Sequence, residues 1–187
     1  MSEKLVVEHC SPTLAGIKTG NLFSCSLSSK DDLISAVRTI NRKLVPKGIR
    51  VLPLCSSGKR ALIYVYRPSA LKRDFADPVR RTFLDEAGYD SDDSAGCVAR
   101  LGRRLREKDG FPHEIGLFLS YPPDDVKNFI QHKGADYKCL GCWKVYGNEA
   151  KAKKTFCNYK SCTTRCLRKW HDGTKLEDLA ATVLFPE

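Results

Sequence analysis

Apolar and polar positions alternate with changing period along the chain, and each change marks an element. Leu5 to Ala15 reads as a short helix, with Pro12 in or near the first turn if the helix restarts at Ser11. Asn21 to Leu27 alternates as a strand, with Phe23, Cys25 and Leu27 opposite Leu22, Ser24 and Ser26. Leu33, Ile34, Val37, Ile40 and Leu44 then recur at helical spacing behind a Ser29 cap, and Pro46 and Gly48 end that helix. Ile49–Leu54 and Ala61–Tyr66 read as a hairpin closed through Cys55–Lys59. In the second of these strands Ile63 and Val65 oppose Leu62, Tyr64 and Tyr66, so both faces are expected to be covered.

The second half is mainly helical. Asp77-Pro78 is a cap followed by a first-turn proline, and Ser94 opens a helix buried through Val98, Leu101 and Leu105. Phe111 to His132 reads as helix, turn, helix. Tyr137 to Tyr146 alternates as a fourth strand. Asn148 caps a long last helix with Ala152, Phe156, Tyr159, Cys166 and Trp170 inward, stopped by Gly173. Leu176, Leu179 and Leu184 are candidates to dock onto the body. Hairpin-linked strands with grouped helices predict an α+β fold: a small mixed or antiparallel sheet of about four strands packed with several helices. Residues 1–187 read as one domain, with 137–175 as its basic, cysteine-rich strand–helix part.

Charge sharpens this picture. From Lys127 to Lys175 there are twelve Lys or Arg and three acids, which is +9 of the chain's +10. Such a concentration suits an anionic partner, nucleic acid first, and equally suits a solvated helix face. The same stretch holds five of the nine cysteines. An odd number cannot pair fully, and the N-terminal residues do not resemble an export signal, so reduced thiols in the cytoplasm are expected. No apolar run approaches the roughly 20 residues of a membrane helix.

Three constellations could carry chemistry. His113 to Phe129 has helix-turn-helix spacing, with Gly116, Ser120, Val126 and Phe129 at the packing positions, and presents Lys127, Asn128, Gln131 and Lys133 to a polyanion, with Lys151, Lys153 and Lys154 adding to that set. Asp124 and Asp125 at the start of its second helix oppose phosphate contact, and the apolar first helix suits packing instead. Cys139 and Cys142 form a CxxC that, with Cys162 and Cys166, could hold zinc or another metal. The spacing of the second pair is poor, and buried free thiols are the plainer reading, so no cofactor is predicted. His9, Cys10, His113 and Glu114 are the residue types of an activated thiol, or else a surface histidine beside a buried cysteine and a helix cap. There is no P-loop at Ser57-Gly58-Lys59, no GxGxxG, no HExxH and no GxSxG, which disfavours ATPases, dinucleotide oxidoreductases and zinc proteases.

Glu8 to Lys18, Phe111 to Leu119, Tyr121-Pro122 and Trp143 to Tyr146 together resemble an uncharacterised bacterial family, catalogued as domain-of-unknown-function family 3793. The resemblance spans nearly the whole chain and brings no activity or site with it. The family usually has glycine where this chain has Ser120. By analogy, the segments that carry the resemblance are better places for a site than the scattered C-terminal cysteines. The function expected is non-enzymatic binding or regulation through a polyanion held by the basic C-terminal third. The alternative is a thiol- or metal-dependent redox accessory protein.

Overall fold

The structure, a computed structural model, describes residues 1–107 and 110–181. Among these, helices α1 (Glu3–Leu14), α2 (Lys30–Leu44), α3 (Pro68–Phe75), α4 (Pro78–Glu86), α5 (Ser94–Arg104), α6 (Ile115–Phe118), α7 (Pro123–Gln131), α8 (Glu149–His171) and α9 (Leu176–Leu179) surround two antiparallel sheets. The larger sheet has the order β1 (Gly20–Ser26), β3 (Arg60–Tyr66), β2 (Arg50–Ser57), and β4 (Cys139–Leu140) pairs with β5 (Lys144–Val145). This is the α+β arrangement that the alternation predicts. Leu184 lies outside the described residues.

The central strand divides the interior. Ala61, Ile63 and Val65 of β3, with Phe23 and Cys25 of β1, face a core closed by α1, α2, α8 and α9. Tyr64 and Tyr66 face a second core built from α3, α5, α6 and α7. Both faces of the sheet are therefore buried, as the near-continuous apolar run of β3 requires. β2 and β3 turn at Gly58, where φ is +55°, so the hairpin is longer than the apolar pattern alone marks.

Three elements depart from the sequence reading. α1 runs unbroken through Pro12, which sits in its last turn and withholds a single amide donor from the helix. α3 is an added helix that starts at Pro68, a residue suited to the first turn. The expected strand 137–146 is instead a tight hairpin. A Cβ on Gly141 would lie 2.2 Å from the Phe156 ring, so glycine lets the chain fold back against α8 without displacing that ring. The helix-turn-helix-like hairpin is present in abbreviated form, since α6 is a single turn and wholly buried.

Arg67 locks the N-terminal part of the fold. It is 2% exposed, and its guanidinium donates to the carbonyls of Thr13 (2.8 Å), Leu14 (2.7 Å) and Ala181 (2.8 Å) and, at 3.3 Å, to Lys47. It thereby caps the C-terminus of α1 from outside the helix and binds the chain that follows α9.

Candidate functional site

Three loops are pinned together beside the sheet. The Tyr64 hydroxyl donates to the Phe118 carbonyl at 2.6 Å, and Gly20 lies so close that a Cβ there would fall 2.6 Å from the Tyr64 ring. This contact sets the Leu119–Pro122 turn against the start of β1. Asp74, in the last turn of α3, accepts from the Thr19 hydroxyl (2.6 Å) and the Ser120 hydroxyl (3.2 Å), while Ser120 Oγ accepts from the Thr19 amide (3.1 Å). Ser120 adopts φ +61°, the left-handed region that favours glycine, so its two hydroxyl contacts offset the strain.

The β4–β5 hairpin closes over this turn. Trp143 packs against Tyr121 (ring centroids 4.9 Å) and edge-on against Phe156 of α8 (4.6 Å), and the Tyr121 hydroxyl donates to the Cys142 carbonyl at 3.0 Å. Beneath them lies Lys18, 7% exposed. Its ammonium stands 5.2 Å from the Tyr121 ring centroid and 5.5 Å from that of Tyr159. Burial lowers the Lys18 pKa to about 8, against the opposing pull of the Cys142 and Cys10 thiols. Burial raises Tyr121 and Tyr159 to about 12 each. Two depressions flank α8 here. One of about 400 Å³ lies over Lys18, and another of about 780 Å³ is lined by Arg80, Lys151 and Arg165 with Asp124.

The chain matches the family described as "Protein of unknown function (DUF3793)" over residues 6–180. It belongs to that family. No curated protein and no solved structure matches it. In this DUF3793 chain the segments that carry the resemblance meet in space: Lys18 from the first, Tyr121 from the turn, and Trp143 from the hairpin line adjoining walls.

Other residues singled out from the sequence are dispersed. His9 is exposed and stacks on Phe23 (5.1 Å), whereas Cys10 is fully buried and its thiol pKa is pushed far up by desolvation. His113 lies outside, edge-on to Phe129, while Glu114 is buried and accepts from Tyr89 (2.7 Å) and Arg104. No thiol–imidazole–carboxylate arrangement joins these four. Cys139 and Cys142 sit in and beside the small hairpin; Cys162 and Cys166 lie in the seam between α8 and α1, where the Cys162 thiol donates to the Ser11 carbonyl at 3.6 Å. In that seam the hydrogen bond between the two thiols raises Cys162 and lowers Cys166. Among the described residues no three His, Cys, Asp or Glu side chains are grouped to share a metal ion.

The proposed polyanion residues fall into two groups. Lys127 and Gln131 line a groove with α4, Asn128 donates to the Asp124 carbonyl (2.7 Å), and Lys133 is exposed beyond α7. Lys151, Lys153 and Lys154 are exposed on α8. The sequence pattern does not mark Lys18, Tyr121 or Tyr159 as site residues. The available signal was that Lys18 is the only Lys, Arg, Asp or Glu between His9 and Ser29. No helix among the described residues is long and apolar enough to cross a membrane.

Proposed function

We propose that the protein is a non-enzymatic nucleic-acid-binding protein and that the polyanion lies along the outward face of α8. The observation that carries this reading is the state of the cations on that helix. Lys151, Lys153, Lys154, Lys160, Arg165, Arg168 and Lys169 are all exposed, against one acid, Glu149. Among the described residues only Lys153 has an ion-pair partner, Glu149 at 2.6 Å. A helix of this length presents its charges over about 35 Å, a span that meets many phosphates of an extended strand or duplex. Exposed Asn158, Ser161 and Thr164 lie among the cations and can donate to phosphate oxygens. Like charges left unpaired on one face are destabilising in isolation and are relieved by a polyanion.

Fluorescence anisotropy with generic duplex DNA and single-stranded RNA, at two salt concentrations, tests the reading. Binding should weaken steeply with salt. Replacing Lys151, Lys153 and Lys154 together by alanine should flatten the salt slope by about 2 to 3. Absence of binding at low salt removes the proposal.

A further inference from the structure

Lys18 inverts the usual pattern of its loop. Ile17 is 48% exposed and Lys18 is 7% exposed, so the aliphatic residue faces water and the cation faces the interior. Two backbone hydrogen bonds to the Pro12 carbonyl, from Ile17 (3.0 Å) and Lys18 (3.2 Å), fix that orientation. The other deeply buried cation, Arg67, donates to four carbonyl oxygens. Among the described residues Lys18 has no carboxylate and no hydrogen-bond acceptor on its ammonium, only the two tyrosine faces and two thiols. A structural ammonium in this position would be expected to have oxygen partners.

The space in front of it is shaped for a ligand. A pocket of about 400 Å³, within the usual range for small molecules, opens over the ammonium between Tyr121, Tyr159 and Phe156. Asn21 lies on its wall. The Asn21 amide oxygen accepts from the Thr13 hydroxyl at 2.8 Å, which fixes the amide and leaves its NH2 without a partner among the described residues. Lys160 stands at the rim as a second, exposed cation.

We propose that this pocket binds a small organic anion, with its carboxylate or phosphate group on Lys18 and the Asn21 amide and its flat unsaturated body against the aromatic walls. The site goes beyond the polyanion reading, because Lys18 lies beneath α8 and not on its outward face. The anion supplies the partner that the buried ammonium lacks, and the aromatic rings select a flat body over a bare inorganic ion.

Isothermal titration of the full chain with benzoate, phenyl phosphate, inorganic phosphate and neutral benzyl alcohol tests it. Benzoate or phenyl phosphate should bind one to one, and which of the two binds tells a carboxylate from a phosphate source. Inorganic phosphate and benzyl alcohol should bind at least roughly tenfold more weakly, since each lacks one half of the recognition. Lys18→Met should lose at least roughly tenfold in affinity while melting no lower than the parent without ligand. Lys18→Gln serves as a second variant with a polar end. The alanine triple variant at Lys151, Lys153 and Lys154 should retain anion binding, which separates failure here from failure of the polyanion reading. The proposal is overturned if neither aromatic anion binds at millimolar concentration, if binding survives Lys18→Met, or if Lys18→Met and Lys18→Gln both unfold.

Discussion

The indole Nε1 of Trp143 donates to Oδ2 of Asp125 at 2.7 Å, so the small hairpin hangs from the first turn of α7. The other oxygen of the same carboxylate accepts from the Tyr146 amide (2.8 Å) and the Gly147 amide (2.7 Å). Asp125 is 3% exposed. One buried carboxylate thus satisfies three donors and aims Trp143 between Tyr121 and Phe156. Of the two acids that count against phosphate contact in the sequence, only Asp124 is exposed.

Asp125→Ala should therefore destabilise the protein by about 3 kcal/mol or more, because three donors lose a charged acceptor. Denaturant titration followed by tryptophan fluorescence reads this directly. The expected result is a lower midpoint together with red-shifted emission in the native baseline as Trp143 becomes wet. An unchanged midpoint would mean that the hairpin does not depend on this carboxylate.

Gly116 and Val126 hold α6 against α7. A Cβ on Gly116 would lie 2.6 Å from Cγ2 of Val126 and 3.2 Å from the Tyr121 ring, and Val126 is 4% exposed. Gly116→Ala should cost about 1 to 3 kcal/mol through overpacking. Part of that loss should return when Val126→Ala is added, since the second change removes the methyl that the first one meets. Val126→Asp should cost several kcal/mol by burying an unpaired charge. A double-mutant cycle with additive losses would place the two residues out of contact.

Local chemistry explains what the sequence made legible. The alternation in Leu62–Tyr66, the Asp77-Pro78 start and the Asn148 cap are each decided by neighbouring residues, and each appears where the pattern places it. The alternation from Tyr137 to Tyr146 misleads because Gly141 yields to a tertiary contact with Phe156. The site was less legible. A lysine is read as solvent-exposed unless something distant covers it, and Lys18 is covered by Tyr121 and Tyr159, more than a hundred residues away. The segments that carry the family resemblance did point to this corner, although without a role for any side chain. Arg67 belongs to the same class: its four carbonyl partners come together from three separate stretches of backbone only once the chain has folded.

The nine cysteines are all free, and their burial predicts an order of modification. Cys142 and Cys157 are exposed, whereas Cys10, Cys25, Cys97, Cys162 and Cys166 are buried. Alkylation of the native protein without reductant, mapped by mass spectrometry, should label the first two early and leave the buried five until denaturant is added. Prior reduction should change nothing. Protection of Cys10 in denaturant that vanishes on reduction would show a disulfide and contradict the packing of α1.

Lys18 should leave a signature in the pH dependence of stability. Its pKa in the folded protein is lowered to about 8. Below that pH the folded and unfolded chains both bind the proton, and the full cost of burying the ammonium is present. From about pH 8 to the ordinary lysine value near 10.4, the unfolded chain holds a proton that the folded chain has released, so this group makes stability rise with pH. The cost is at most about 3 kcal/mol for a shift of this size. The titratable groups around Lys18 are the Cys10 and Cys142 thiols, the Tyr121 and Tyr159 phenols, and His9 and Lys160 on the same pocket, and all of them remain in Lys18→Met. Subtracting the stability of the parent from that of Lys18→Met therefore removes most of their titration. In buffer free of aromatic and phosphate anions, the variant should be the more stable protein near pH 7, and its advantage should shrink as pH approaches 10. A difference that stays flat over that range would mean that Lys18 keeps its proton through a partner within the chain, and the ligand pocket would lose its central argument.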